Sequence, residues 1–270
     1  NHLGIRLTDH LCNCWKCGPK RLVDIILEIK NCSTKEAKQI IKSLSVNPNI
    51  PIKQEPTTGK RRLVRRSILP KEASSIFPEL HLKYLKKRDF SPKKLIRKYK
   101  LKACYLDGEY KFRIIIPIYQ DGRLVSFTSR DVTGDQSIKY KTASFNESAI
   151  DPKEIIFNLD SVKEYGDAFC VEGPFDVMRM GDGAFCFLGV KITPSRILAI
   201  AKKKIKNLYI FYDNDDAGKR NAKRIAEVLS PVVDSVHILK YKKRKIRKLK
   251  DPADLSDDEV NNLKIARNLK

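Results

Sequence analysis

Apolar residues in the first part of the chain recur with a helical period. Leu22, Ile25, Ile26 and Ile29 fall on one face of residues 20–30, which predicts an amphipathic helix. A second helix opens at Ser33-Thr34-Lys35-Glu36, with Ser33 as N-cap and Glu36 at the capping-box position. Residues 45–70 show no such period. Asn47-Pro48, Pro51, Pro56 and Gly59 punctuate a polar stretch that carries Lys60-Arg61-Arg62 and Arg65-Arg66, the pattern of a basic linker. Two more helices are expected between residues 70 and 99, joined near Asp89-Phe90-Ser91-Pro92, where Ser91 and Pro92 form an N-cap and first-turn pair. Then the pattern changes to strands. Arg113-Ile-Ile-Ile-Pro117-Ile and Arg123-Leu-Val-Ser-Phe-Thr flank Gln120-Asp121-Gly122, which predicts a hairpin.

Two later apolar runs end in carboxylates. Phe169-Cys-Val leads into Glu172-Gly173-Pro174-Phe175-Asp176, and Leu208-Tyr-Ile-Phe-Tyr leads into Asp213-Asn214-Asp215-Asp216-Ala217-Gly218. In an open α/β sheet, ligands bind in the crevice beyond the C-terminal strand ends. Asp213 and Asp215 alternate like strand residues, so both can point to one side, and Glu172 can join them from a neighbouring strand. Such hard oxygen ligands suit Mg²⁺ or Mn²⁺ and phosphoryl-transfer chemistry. A plainer reading is that Asp216 caps a helix over residues 217–229. Two acidic strand ends, with Gly173 and Gly218 allowing tight turns, favour the metal site.

Composition narrows the partner. The 270 residues carry 55 basic and 32 acidic side chains, a formal charge of +23, which favours a polyanion. No run approaches 18 apolar residues and no basic amphipathic anchor or secretory leader is visible, so nucleic acid is a better partner than a membrane. The cysteines number seven, an odd count, and Cys104, Cys170 and Cys186 are scattered. That is no disulfide framework, and it predicts a reduced, cytoplasmic setting. Cys14-Trp15-Lys16-Cys17-Gly18 is a knuckle of the kind that supplies two zinc thiolates. Within the chain His2, His10, Cys12 or Cys32 could complete a site. A redox Cys-x-x-Cys would want a thioredoxin-like βαβ context, which the pattern lacks.

Glu-Gly-x-x-Asp followed by Asp-x-Asp-x-Ala-Gly resembles the Toprim domain of topoisomerases, OLD-type nucleases and bacterial DnaG-type primases. Leu188-Gly189-Val190 resembles a small strand-turn unit between these motifs in the primases. The segment from His81 through Tyr84, Leu85, Arg88 and Phe90 resembles the opening of their catalytic core. His2-Leu-Gly-Ile with the Cys14/Cys17 knuckle resembles the second half of the primase zinc ribbon, which implies an incomplete zinc site in this chain. Ser129-Arg130-Asp131 and Lys139-Tyr140-Lys141 are similar to basic elements beside the metal site. Arg130, Lys139 and Lys141 are thereby expected to face template or nucleotide phosphates. Asp251-Pro252-Ala253-Asp254 looks like an Asp-Pro-Asp element with its second Asp displaced by one position, which makes Asp251 the better-matched ligand. The basic block over residues 240–250, with Lys242, Lys243 and Arg244, would steer nucleic acid.

The resemblance implies α/β and α+β architecture. A partial zinc-ribbon module with two helices is expected at 1–45, a basic linker at 46–70, a basic α+β subdomain at 71–165 and a Toprim core with a mostly parallel, Rossmann-like sheet at 166–270. It implies a primase of phage or bacterial type making short RNA primers on single-stranded DNA from ribonucleoside triphosphates. Two-metal nucleotidyl transfer would use Glu172, Asp213, Asp215 and Asp251, with Asp176 and Asp254 supporting them from behind. No Gly-x-x-x-x-Gly-Lys-[Ser/Thr] motif occurs, so the helicase partner is expected to be a separate protein. The alternatives are a Toprim-type nuclease, with water as nucleophile, and a non-catalytic zinc and single-strand-binding module.

Overall fold

The computed structural model describes residues 3–5, 11–14, 18–30, 32–44, 68–189, 191–241 and 251–267. The chain divides into two compact units, Asn1–Leu63 and Val64–Lys270.

The first unit holds a three-stranded antiparallel sheet, β1 (Leu3–Ile5), β2 (Leu11–Cys14) and β3 (Gly18–Arg21), followed by α1 (Leu22–Lys30) and α2 (Thr34–Leu44). The two helices fall where the apolar period places them. Ser33 and Glu36 form the reciprocal cap: the Ser33 N–H donates to Glu36 Oε2 at 2.8 Å, and the Glu36 N–H donates to Ser33 Oγ at 3.3 Å. Cys14 pairs with Gly18 across β2 and β3. Cys17, His2, His10 and the basic residues from Lys60 to Arg66 lie outside the described residues.

The second unit opens with α3 (Glu79–Lys87) and α4 (Pro92–Tyr99). Pro92 takes the first helical turn, but Ser91 makes no side-chain cap bond. An antiparallel sheet follows, in the order β4 (Lys102–Cys104), β5 (Arg113–Gln120), β6 (Arg123–Asp131) and β7 (Tyr140–Thr142). Asp121 and Gly122 both have positive φ, 51° and 71°, which matches the right-handed strand twist and explains why Asp-Gly closes this hairpin. The isoleucine run of β5 is buried on both faces. Ile114, Ile116 and Ile118 join the main core, and Ile115 joins a smaller cluster with Phe127 and Tyr110. Burying each such side chain stabilises the fold by roughly 1.5–3 kcal/mol.

The remaining chain builds a four-stranded parallel sheet in the order β11-β10-β8-β9. The elements run β8 (Ala168–Val171), α5 (Pro174–Met180), β9 (Ala184–Phe185), α6 (Pro194–Lys202), β10 (Asn207–Phe211), α7 (Asp216–Leu229), β11 (Ser235–Ile238) and α8 (Asp257–Ile265). Strand residues alternate between two cores. Phe169 and Val171 of β8 pack with Phe175 and Val177 of α5, whereas Ala168 and Cys170 pack with Ile200 of α6 and Ile225 of α7. Both faces of the sheet are therefore covered at β8, which is why that strand reads as an unbroken apolar run, whereas the edge strand β11 is largely exposed. The chain steps from β8 outward to β9 and then back across to β10, so the sheet order reverses between β8 and β10. A ligand crevice is expected at that point, beyond the strand ends.

Candidate active site

A cavity of about 650 Å³ opens at this reversal point. Val171 and Phe211 are paired neighbours, so β8 and β10 end side by side and deliver Glu172 and Asp213 into the same space. Asp176, from the first turn of α5, and Asp251 complete a carboxylate wall. Arg130 and Lys139 face it from the antiparallel sheet, together with Arg88 at the end of α3.

The carboxylates crowd one another, and Arg88 only partly offsets the charge of Asp251. Burial pushes Asp213 up to about 7 and Asp176 up to about 8, and neighbouring carboxylates add to both shifts. Glu172 and Asp251 are also raised, first by burial and then by nearby carboxylates. Glu172 Oε2 and Asp213 Oδ1 are buried without a hydrogen-bond partner. Among the described residues no three potential ligands are drawn together into a closed metal cluster. Mutual repulsion, raised proton affinity and orphaned oxygens are the properties of a donor set that fits a divalent cation.

Asp176 is fixed by two backbone groups: Gly173 N–H donates to Oδ2 at 2.9 Å and Ala253 N–H to Oδ1 at 3.3 Å. Asp251 Oδ1 accepts from Asp254 N–H at 3.1 Å, and Asp254 itself lines an adjoining groove of about 610 Å³. Asp215 does not line the cavity, although its charge helps to raise Glu172 and Asp213. The strand stops at Phe211, so the alternation expected for Asp213 and Asp215 is not realised. Asp215 is instead the exposed N-cap of α7, its Oδ1 accepting from Gly218 N–H at 2.7 Å. The helix is therefore capped by Asp215 and not by Asp216, because it begins one residue earlier than the sequence pattern suggests, at Asp216 itself.

On the basic side, the Arg130 guanidinium lies 4.8 Å from the Tyr140 ring centroid, and Arg88 lies 5.1 Å from that of Phe175. Tyr84 contacts both cations, each 5.9 Å from its ring. The Nε atoms of both arginines are buried without a partner. Lys141 points elsewhere, paired with Glu109 at 2.6 Å and seated over the Tyr110 ring, and it does not line the cavity. Lys242, Lys243 and Arg244 lie outside the described residues. Arg88, named in the sequence only within the segment resembling the opening of a primase core, lines the cavity, as do Asn221 and Arg224, which the sequence did not single out. Asn221 and Arg224 are one turn apart at the edge of the buried stripe of α7, so projecting that helix toward the strand ends would have found them.

Comparison with known proteins follows the same lines. Residues 169–256 match the Toprim-like family. The chain is 31% identical over 208 residues to a DNA primase of Aquifex aeolicus, covering 72% of this chain. It spans 38% of the length of that relative. The crystal structure of the Aquifex aeolicus primase zinc-binding and RNA polymerase domains superposes with a TM-score of 0.55 at 20% identity, covering 99% of this chain and 74% of that one. A DnaG primase catalytic domain bound to single-stranded DNA gives a TM-score of 0.57 at 19% identity, covering 72% of this chain and 73% of that one. These superpositions establish the fold of a DnaG catalytic core. The chain is a homologue of DnaG-type DNA primases, with a Toprim-like domain at residues 169–256.

Proposed function

We propose that this protein makes short RNA primers on a single-stranded DNA template, joining ribonucleoside triphosphates by nucleotidyl transfer. The observation that carries the reading is one cavity at the sheet's reversal point, in which unpaired carboxylates oppose two buried-edge arginines and a lysine. Glu172, Asp213 and Asp251, with Asp215 at the rim, would hold Mg²⁺ or Mn²⁺, which when bound activates a hydroxyl and neutralises phosphate charge. Arg130, Lys139 and Arg88 bind phosphate oxygens on the opposite wall, and their aromatic seats hold the guanidinium planes in place. Asp176, whose carboxyl is pushed up to about 8 by burial, serves as a structural bracket between Gly173 and Ala253.

The template is proposed from the DNA-bound primase relative and from the net charge of +23. A separate replicative helicase and a cytoplasmic setting belong to the same proposal, and among the described residues no helix is long and apolar enough to cross a membrane. In the first unit, Cys14 and Cys17 are proposed zinc thiolates, supported by the hairpin that brings Cys14 opposite Gly18 and by the zinc-binding domain of the Aquifex primase. Cys12 is buried, and that burial pushes its thiol up. A Toprim nuclease would share the carboxylates but not the likeness to primases over 72% of the chain. The test is incubation with single-stranded DNA, Mg²⁺ and labelled ribonucleotides. Short labelled RNA supports the reading, and template cleavage without incorporation moves it to nuclease.

A further inference from the structure

Arg179 is a charged side chain in an unusual place. It sits in the last turn of α5 with its side chain 2% exposed, and Asp257, its ion-pair partner at 3.0 Å, is 88% exposed. Nε donates to Ala253 O at 3.2 Å, while Nη2 donates to Arg88 O at 2.7 Å and to Asp89 O at 3.0 Å. The guanidinium lies 4.2 Å from the Phe90 ring centroid. One side chain therefore ties α5 to two stretches remote from it in sequence, 88–90 and 253–257. Each carries or adjoins a cavity residue, Arg88 on one wall and Asp251 on the other.

The grip on Ala253 is two-sided. Asp176, one helical turn before Arg179, takes the Ala253 N–H, and Arg179 takes the Ala253 carbonyl. Residues at i and i+3 share a helix face, so α5 closes on the Asp251–Ala253 turn with two prongs. Asp89 has a left-handed φ of 58°, and both its carbonyl and that of Arg88 meet the guanidinium. A buried cation held mainly by carbonyls is poor evidence of a stabilising element, since apolar side chains of similar volume often do as well. Its geometric output, a fixed spacing between two cavity walls, is the better account.

We propose that Arg179 is a positioning residue that sets Asp251 and Arg88 for divalent-cation and phosphate binding, by clamping the Ala253 peptide and the Arg88–Asp89 carbonyls to α5. The role rests on the proposed function of the cavity. Lysine at this position keeps the charge but has no planar fork to bridge the segments.

The test compares wild type, Arg179→Lys and Asp257→Asn in the full chain. It measures Mn²⁺ binding by calorimetry, thermal melting, and RNA synthesis across a Mg²⁺ series. Arg179→Lys is expected to melt within a few degrees of wild type, to bind Mn²⁺ about tenfold more weakly, and to regain most of its synthesis at high Mg²⁺, as for loss of an outer partner of a metal ligand. Asp257→Asn, which alters only the exposed end, should stay within about twofold of wild type. Wild-type Mn²⁺ affinity in Arg179→Lys overturns the proposal, as does a lowered melting temperature with unchanged Mn²⁺ affinity measured well below it. Wild-type protein that makes no RNA, with Mn²⁺ binding still weakened in Arg179→Lys, sinks the primase reading and leaves the clamp standing.

Discussion

Gly218 packs directly against the backbone of Asp213: a Cβ at Gly218 would lie 2.3 Å from the Asp213 carbonyl oxygen and 3.0 Å from its nitrogen. The acidic loop folds back over the first turn of α7, and only a residue without a side chain lets it close. Gly218 also donates its N–H to Asp215 Oδ1, so the same residue anchors both aspartates. Gly218→Ala should therefore displace Asp213. Overpacking a tight site costs about 1–3 kcal/mol, and the variant should melt several degrees lower while losing most RNA synthesis. A melt and a primer assay decide it. Unchanged values for both would mean that the loop is soft and the close approach unimportant.

Arg130 and Lys141 separate a cavity role from a surface role. The Arg130 guanidinium is held over Tyr140 with Nε buried and unbonded, facing the carboxylate wall. Arg130→Ala should lower RNA synthesis about 100-fold, the scale for removing one fixed donor at a site of developing charge, with only a few-fold loss of single-strand binding. Lys141 is committed to Glu109, and exposed ion pairs contribute less than about 1 kcal/mol. Lys141→Ala should leave synthesis within twofold of wild type. If the two variants lose activity equally, the separation of their roles is wrong.

Local rules made much of this fold legible. The apolar period at Leu22–Ile29, the Ser33/Glu36 cap and the Asp121-Gly122 turn each act over a few residues, and the structure realises all three. Acidic strand ends at Glu172 and Asp213 were visible because each follows a short apolar run, through Val171 and through Phe211-Tyr212. What pattern alone misplaced depended on where a strand stops. Once β10 ends at Phe211, strand alternation no longer governs Asp213 and Asp215, and helix capping takes Asp215. Arg179 and Arg224 stayed hidden for a different reason. Their roles arise from packing between segments more than 70 residues apart or from a helix edge, and no local period encodes that.

The block of basic residues after Tyr241 offers an electrostatic test. Neutralising Lys242, Lys243, Arg244 and Lys245 together should weaken binding to single-stranded DNA and make it less sensitive to salt. Each lost phosphate contact should flatten the log–log salt slope by roughly 0.7. Fluorescence anisotropy at several salt concentrations reads the slope. An unchanged slope would show that the block is a solvated face with no part in template binding.

The carboxylate wall predicts a pH dependence with a definite sign. Unfolded aspartates titrate near pH 4, whereas Asp213 is pushed up to about 7 and Asp176 to about 8 in the folded chain, by burial and then by their neighbours. Between about pH 4 and 8 the folded state therefore binds more protons than the unfolded state, and these groups make the metal-free protein less stable as pH rises. Asp213→Asn removes one repelling charge. Without divalent ions it should exceed wild type in stability at pH 8 by on the order of 1–3 kcal/mol, and the gap should close by pH 4. Added Mg²⁺ should raise the wild-type melting temperature at pH 8 but not that of the variant, which should also make no RNA. Thermal melts of both proteins across this pH range, with and without Mg²⁺, test each part. Parallel pH curves for the two proteins would show that Asp213 is not a strained, cation-seeking carboxylate.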